Sequence, residues 1–237
     1  MTARGLARWT EDRLKSLADA EFAAGQRRFF QHEVATYGVR TRNLHRVASE
    51  IYREVKPWPP ARRNRAMTAL WRLGKIESGA AVCYVYRRFA KQCGRAEFLL
   101  FESWIDRYVR NWAHTDGVAS WLLAAAIQNE PELRFELLAW TESGNRWKRR
   151  AAAVALLQEG KRGRHTDFIL DIASRLLADR DDMVEKGVGW LLKETYPRKP
   201  REVVAFLHRE GQRASRLTLR YAAEKMTAKD RRKFLGG

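Results

Sequence analysis

Apolar positions recur at spacings of three and four through most of the 237-residue chain, and strict alternation over a strand's length is scarce. That period belongs to the amphipathic helix, so the sequence predicts a nearly all-α fold. Breakers punctuate it at Gly38, the Pro57–Pro60 turn, Gly74 to Gly79, Gly94, Pro131, Gly144, Gly160–Gly163, Asp179–Asp182, Pro197 to Pro200 and Gly211. The segments between them run roughly 12 to 18 residues, ordinary lengths for globular helices.

Five segments share one register. Arg65 opens AMTALWRLG, Asp116 opens GVASWLLAA, Arg150 opens AAAVALLQE, Lys186 opens GVGWLLKET and Arg216 opens LTLRYAAEK, the last four recurring after 34, 36 and 30 residues. A helical pair of that length cannot bury its apolar face alone. Pairs therefore stack into a solenoid of the HEAT or armadillo kind, predicted here as one continuous array over residues 1–237 with a concave ligand-binding face. Equivalent positions lie side by side in such an array, so Arg65, Arg150, Lys186 and Arg216 should form a cationic track. Asp116 puts an acid where the other four segments put a base.

Charge sharpens this picture. The chain carries 46 Lys and Arg against 28 Asp and Glu, a net +18, and 34 of the 46 are Arg. Planar guanidinium groups suit phosphate recognition, and a nucleic-acid partner becomes the leading expectation. The excess is spread, with +4 over residues 1–60 and +6 over 181–237, so a basic tail does not explain it. Cys83 and Cys93 form no CxxC or Cys/His cluster, which points away from a disulfide framework or structural zinc and fits the reducing cytoplasm. No signal-peptide core or membrane-length apolar run is apparent, so a soluble protein is expected, and a monomer.

The candidate chemistry centres on Trp112-Ala-His-Thr-Asp116. Asp116 is either the N-cap of the helix that follows or a functional carboxylate. If the helix extends back far enough, Trp112 shares its face. Trp190 follows two helical glycines, Gly187 and Gly189, where the close approach of a helix or a ligand would account for the missing side chains. Trp147 reads as a repeat-core anchor or a ligand contact, among Arg146, Lys148, Arg149 and Arg150, which offer phosphate contacts. HExxH, GxSxG, GxGxxG and GxxxxGK[ST] are absent, and no metal or cofactor is expected.

Taken together, Tyr37–Val47 (YGVRTRNLHRV), Trp112 with Asp116, Asn145–Ala152 (NRWKRRAA), Lys186–Glu194 (KGVGWLLKE) and Ser215–Ala222 (SRLTLRYA) resemble the AlkD branch of the HEAT-like-repeat DNA glycosylases across almost the whole chain. The resemblance implies a catalytic aspartate at Asp116, lesion-facing tryptophans at Trp112 and Trp190, and an active-site arginine at Arg150. It also implies removal of alkylated purines from duplex DNA with the lesion still stacked. Arg65, Trp147, Lys148, Arg149, Lys186, Arg216 and Arg220 would then hold the DNA. The chain departs from that branch at Asp182 and Met183, where a pair of aromatics is expected before the second lesion-facing tryptophan. A non-catalytic solenoid that binds bent or damaged duplex shares every part of the charge pattern and differs at Asp116.

Overall fold

The computed structural model describes residues 1–30 and 34–235, and every regular element among them is helical. Numbered α1–α16 in chain order, the helices pair into two rows of a helical-repeat solenoid. The leading row holds α1 (Ala3–Lys15), α4 (Pro60–Trp71), α6 (Arg95–Arg107), α9 (Glu136–Trp140), α12 (Thr166–Leu176) and α14 (Pro200–Glu210). The trailing row holds α3 (Thr41–Val55), α5 (Ile76–Arg87), α7 (Trp112–Gly117), α10 (Arg146–Val154), α13 (Asp182–Thr195) and α15 (Arg216–Ala222), each packed on the next. A π turn (Val118–Leu123) runs on from α7 into α8 (Ala124–Asn129). Helices α2 (Ala20–Phe29), α11 (Leu157–Arg162) and α16 (Ala228–Leu235) stand outside the pairs.

Side-chain size decides the tightest packing. A Cβ on Gly189 would lie 2.5 Å from Tyr221 Cβ and 2.8 Å from the Thr218 carbonyl oxygen, so α13 and α15 approach too closely for alanine. Gly187 faces the other neighbour, its virtual Cβ 3.3 Å from Arg150 Cγ on α10. Both glycines thus admit adjacent helices. Gly79, read from sequence as part of a breaker, lies inside α5, because the Trp71 and His114 rings fill the space its Cβ would need, at 2.4 and 2.5 Å. Gly160 likewise lies inside α11, which ends at Gly163 in the left-handed region at φ +66°.

Residues 36–39, which precede α3, are tied down by a buried carboxylate. Glu77, fully buried at the start of α5, accepts hydrogen bonds from Thr36 Oγ1 at 2.6 Å, Gly38 N at 2.8 Å and Val39 N at 3.1 Å. Gly38 takes φ +79° there, and a Cβ would strike the Asp19 carbonyl oxygen at 2.1 Å. Glu77 therefore fixes how the segment carrying α2 returns to the stack.

Two expectations need correction. Asn111, not Asp116, caps α7: its side chain accepts from His114 N at 2.9 Å, and Asp116 lies within the helix. Arg65 lies on α4, in the leading row, whereas Asp116, Arg150, Lys186 and Arg216 all lie in the trailing row. Its segment has the same apolar spacing because both helices of a pair bury one face. The trailing-row helix of that repeat is α5.

Gly189→Ala should lower stability by about 1–3 kcal/mol, the usual cost of overpacking a close contact. Gly144→Ala, with nothing within 4 Å of the added carbon, should stay within about 0.5 kcal/mol of wild type. Urea denaturation of both variants measures the difference.

Candidate active site

The start of α7 is rigidly set. Thr115 Oγ1 donates to the Asn111 carbonyl oxygen at 2.9 Å, and His114 Nε2 lies 2.9 Å from the Ile76 carbonyl oxygen. Burial holds the His114 pKa below the ordinary histidine value, so the ring is neutral, donating from Nε2 and accepting from Asn111 Nδ2 at Nδ1, 3.2 Å away. With the helix pinned at its first turn, Trp112 and Asp116, four residues apart, project from one face.

Asp116 meets Arg150 across the row. Arg150 Nε donates to Oδ1 at 2.8 Å and Nη2 to Oδ2 at 2.9 Å, a bidentate pair whose side chains are 6% and 17% exposed for Arg150 and Asp116. The third guanidinium nitrogen, Nη1, donates to the Met183 carbonyl oxygen at the start of α13. Three consecutive repeats are joined through one side chain. Burial pushes the Asp116 carboxyl above its ordinary value, while the Arg150 hydrogen bonds and charge pull it back.

The pair forms the wall of a cleft of about 420 Å³, which Trp112, Trp190 and Lys186 also line. Trp190 Nε1 donates to Glu194 Oε1 at 3.3 Å, and Glu194 Oε2 accepts from Lys225 Nζ at 2.6 Å, which fixes the indole plane. Trp112 is covered on one side by Phe30, nearly parallel at 5.5 Å and 25°. Asp116 is the one acidic side chain lining the cleft among the described residues.

The structure also brings in residues the sequence did not signal. Phe29, 72% exposed, meets Trp112 at 5.6 Å on the cleft rim, and Lys193 and Tyr221 line the far side. The Phe29 contact crosses several repeats and leaves no local pattern, while Lys193 and Tyr221 lie within the Lys186–Glu194 and Ser215–Ala222 segments, one residue in each having gone unread. Met183, noted as a departure from the expected aromatics, lines the cleft and supplies the carbonyl that orients Arg150, so its position contributes through the backbone.

The remaining predicted contacts are distributed unevenly. Lys186 lines the cleft and pairs with Asp182 at 3.0 Å. Arg216 and Arg220 are exposed on α15, where Arg220 and Tyr221 line an adjoining depression. Trp147 is 8% exposed and belongs to the core, the anchor reading of the two. Lys148 is held by Glu102 at 2.7 Å and Asp106 at 3.3 Å, and Arg149 by Asp179 at 2.6 Å. None of these three lines the cleft, and Arg65 borders a separate depression with Arg4 and Arg72.

Among the described residues, no group of His, Cys, Asp and Glu is arranged to hold a metal ion, and no helix is long and apolar enough to cross a membrane. Cys83 and Cys93 are free and buried, and burial pushes both thiols up to about 12.

Among the described residues the fold is an all-helical solenoid, and its cleft is lined by a carboxylate–guanidinium pair and two indoles. The chain belongs to the DNA alkylation repair enzyme family, whose model matches residues 10–226. Its fold is similar to that of a solved structure described as a predicted DNA alkylation repair enzyme from Enterococcus faecalis, with a TM-score of 0.80 and 15% identity over 89% of this chain and 97% of that one. No curated protein sequence matches significantly.

A carboxyl-carbon NMR titration should find the Asp116 midpoint above the ordinary aspartate value. In Arg150→Gln the midpoint should move further up, because the guanidinium that favours the charged form is gone while burial remains. A midpoint that falls or stays put in that variant contradicts the assignment of causes.

Proposed function

We propose that the protein is a DNA glycosylase that hydrolyses the N-glycosidic bond of cationic N3- or N7-alkylated purines in duplex DNA. The observation that carries this reading is the Arg150-clamped Asp116 carboxylate, set between Trp112 and Trp190 in a cleft that also holds Lys186 and Lys193. Membership of a DNA alkylation repair family supports it.

The chemistry follows from charge. An N3- or N7-alkylated purine already bears positive charge and leaves as a neutral base when the C1′–N bond breaks. Positive charge then develops on the deoxyribose, and a fixed, partly desolvated carboxylate stabilises it. Water adds at C1′ and its proton passes to Asp116 or to solvent, leaving an abasic site. Arg150 engages one lone pair on each carboxylate oxygen, so the others remain for sugar and water. The indole faces of Trp112 and Trp190 attract cations by about 0.5–2 kcal/mol, favouring the charged lesion and sugar over neutral DNA. Lys186, Lys193, Arg216 and Arg220 supply cations for the phosphates.

The cleft is bounded by the two tryptophans and meets solvent at Phe29, which is 72% exposed on its rim. This supports excision with the lesion still stacked, and hence tolerance of bulky adducts, rather than base flipping. Neutral lesions with intact glycosidic bonds should be poor substrates.

Asp116→Asn should reduce single-turnover release of 7-methylguanine by at least 10²-fold, the scale of losing one electrostatic catalytic group, while duplex affinity stays within a few-fold. Unchanged release would overturn the catalytic assignment of Asp116, and absence of release by the wild type would leave the protein as a damaged-DNA-binding solenoid. In the wild type, release should fall as pH drops through the Asp116 pKa, with the midpoint above the ordinary aspartate value.

A further inference from the structure

A second cluster of rings and cations lies on the trailing row outside the Asp116 cleft. His45 of α3 meets Tyr84 of α5 edge-on at 4.4 Å, and Tyr84 lies against Trp121 of the π turn at 5.3 Å, so three consecutive repeats contribute to one line of rings. The Arg87 guanidinium lies over the Trp121 indole at 5.1 Å. Arg88 lies over Tyr52 at 4.8 Å and donates to Ser49 Oγ at 2.8 Å. A depression of about 380 Å³ runs between α3 and α5 beside these side chains.

Helix packing alone does not account for this arrangement. His45, Arg87 and Arg88 are exposed, and Tyr84 and Trp121 are half-buried. Three other trailing-row cations have carboxylate partners, Arg150 with Asp116, Lys186 with Asp182 and Lys193 with Glu224, while Arg216 and Arg220 on α15 stand exposed. Among the described residues, Arg87 and Arg88 meet rings and a hydroxyl but no carboxylate. Two guanidinium groups held in place by stacking, with their charge uncompensated, suit a polyanion that also offers apolar surface.

The π turn relates this cluster to the cleft. In a regular α-helix Trp121 would lie about 140° around the axis from Asp116. Here Ala124 N–H donates to the Ala119 carbonyl oxygen, five residues back, and the wider turn reduces that offset. Both side chains lie on the partly exposed side of one continuous helix.

We propose that His45, Tyr84, Trp121, Arg87 and Arg88 form a second seat for duplex DNA, taking the sugar–phosphate backbone beside the segment that enters the Asp116 cleft. Arg87 and Arg88 engage phosphates, and the ring line packs against deoxyribose. The proposal rests on the DNA-binding part of the reading above and not on base release.

The test is equilibrium binding of the full chain to an undamaged, dye-labelled duplex across a salt series. Loss of two phosphate contacts should reduce the log–log salt slope by about 1.8, and Arg87→Ala/Arg88→Ala should bind at least 10-fold more weakly at low salt. Arg4→Ala/Arg72→Ala, which removes the same charge from beside the leading row, is the control and should keep the wild-type slope. An unchanged slope in the first variant overturns the proposal, as does an equal loss in both, which would mean that net charge alone matters. Because undamaged duplex is used, failure of the glycosylase reading would appear separately, as absent base release with the binding pattern intact.

Discussion

One guanidinium holds a carboxylate that is largely withdrawn from water, and the cleft is organised around that pair. Partial removal of Asp116 from water disfavours its charge, and Arg150 offsets part of this through two hydrogen bonds of 2.8 and 2.9 Å. Breaking one side of such a pair costs about 3–5 kcal/mol, because the other charge is left stranded. Arg150 has little freedom to move, since its remaining nitrogen is bound to the Met183 carbonyl and its stem passes beside Gly187. The carboxylate is thus positioned by α10 and α13 as much as by its own helix.

The surrounding fold serves this constraint through close approach. Gly187 and Gly189 face opposite neighbours of α13, bringing Arg150 on one side and Tyr221 on the other within reach of a single cleft. On the opposite rim, Phe29 and Phe30 cover Trp112, and the return of their segment to the stack is set by Glu77. There consecutive backbone amides donate to the buried Glu77, as the Arg150 guanidinium donates to Asp116.

Features that depend on local spacing were legible in the sequence. The helical period, the repeat lengths, the Trp112–Asp116 spacing and the small residues before Trp190 all carry over into the stack. Asp116 as a helix cap was a reasonable local reading, but Asn111 forms the cap one turn earlier, a competition that propensity cannot resolve. Arg65 shows another limit: the two helices of a pair share an apolar period, so periodicity does not say which row a segment joins. Phe29 reaches the cleft through a contact with Trp112 that spans several repeats, and nothing near it in the chain marks that destination, whereas Lys193 lies one helical turn beyond Trp190 and Tyr221 beside Arg220.

The π turn after Asp116 has a consequence for how such a protein can vary. An i→i+5 turn holds one residue more than the α-helical turn it replaces. Losing one residue between Val118 and Leu123 would restore the α-helix and swing Trp121, with the ring line it anchors, around the axis relative to Asp116. Neither side chain need change for their relation to change. Chain length at this one turn is therefore a separate variable, able to re-aim the flanking surface while leaving the carboxylate and its arginine where they are.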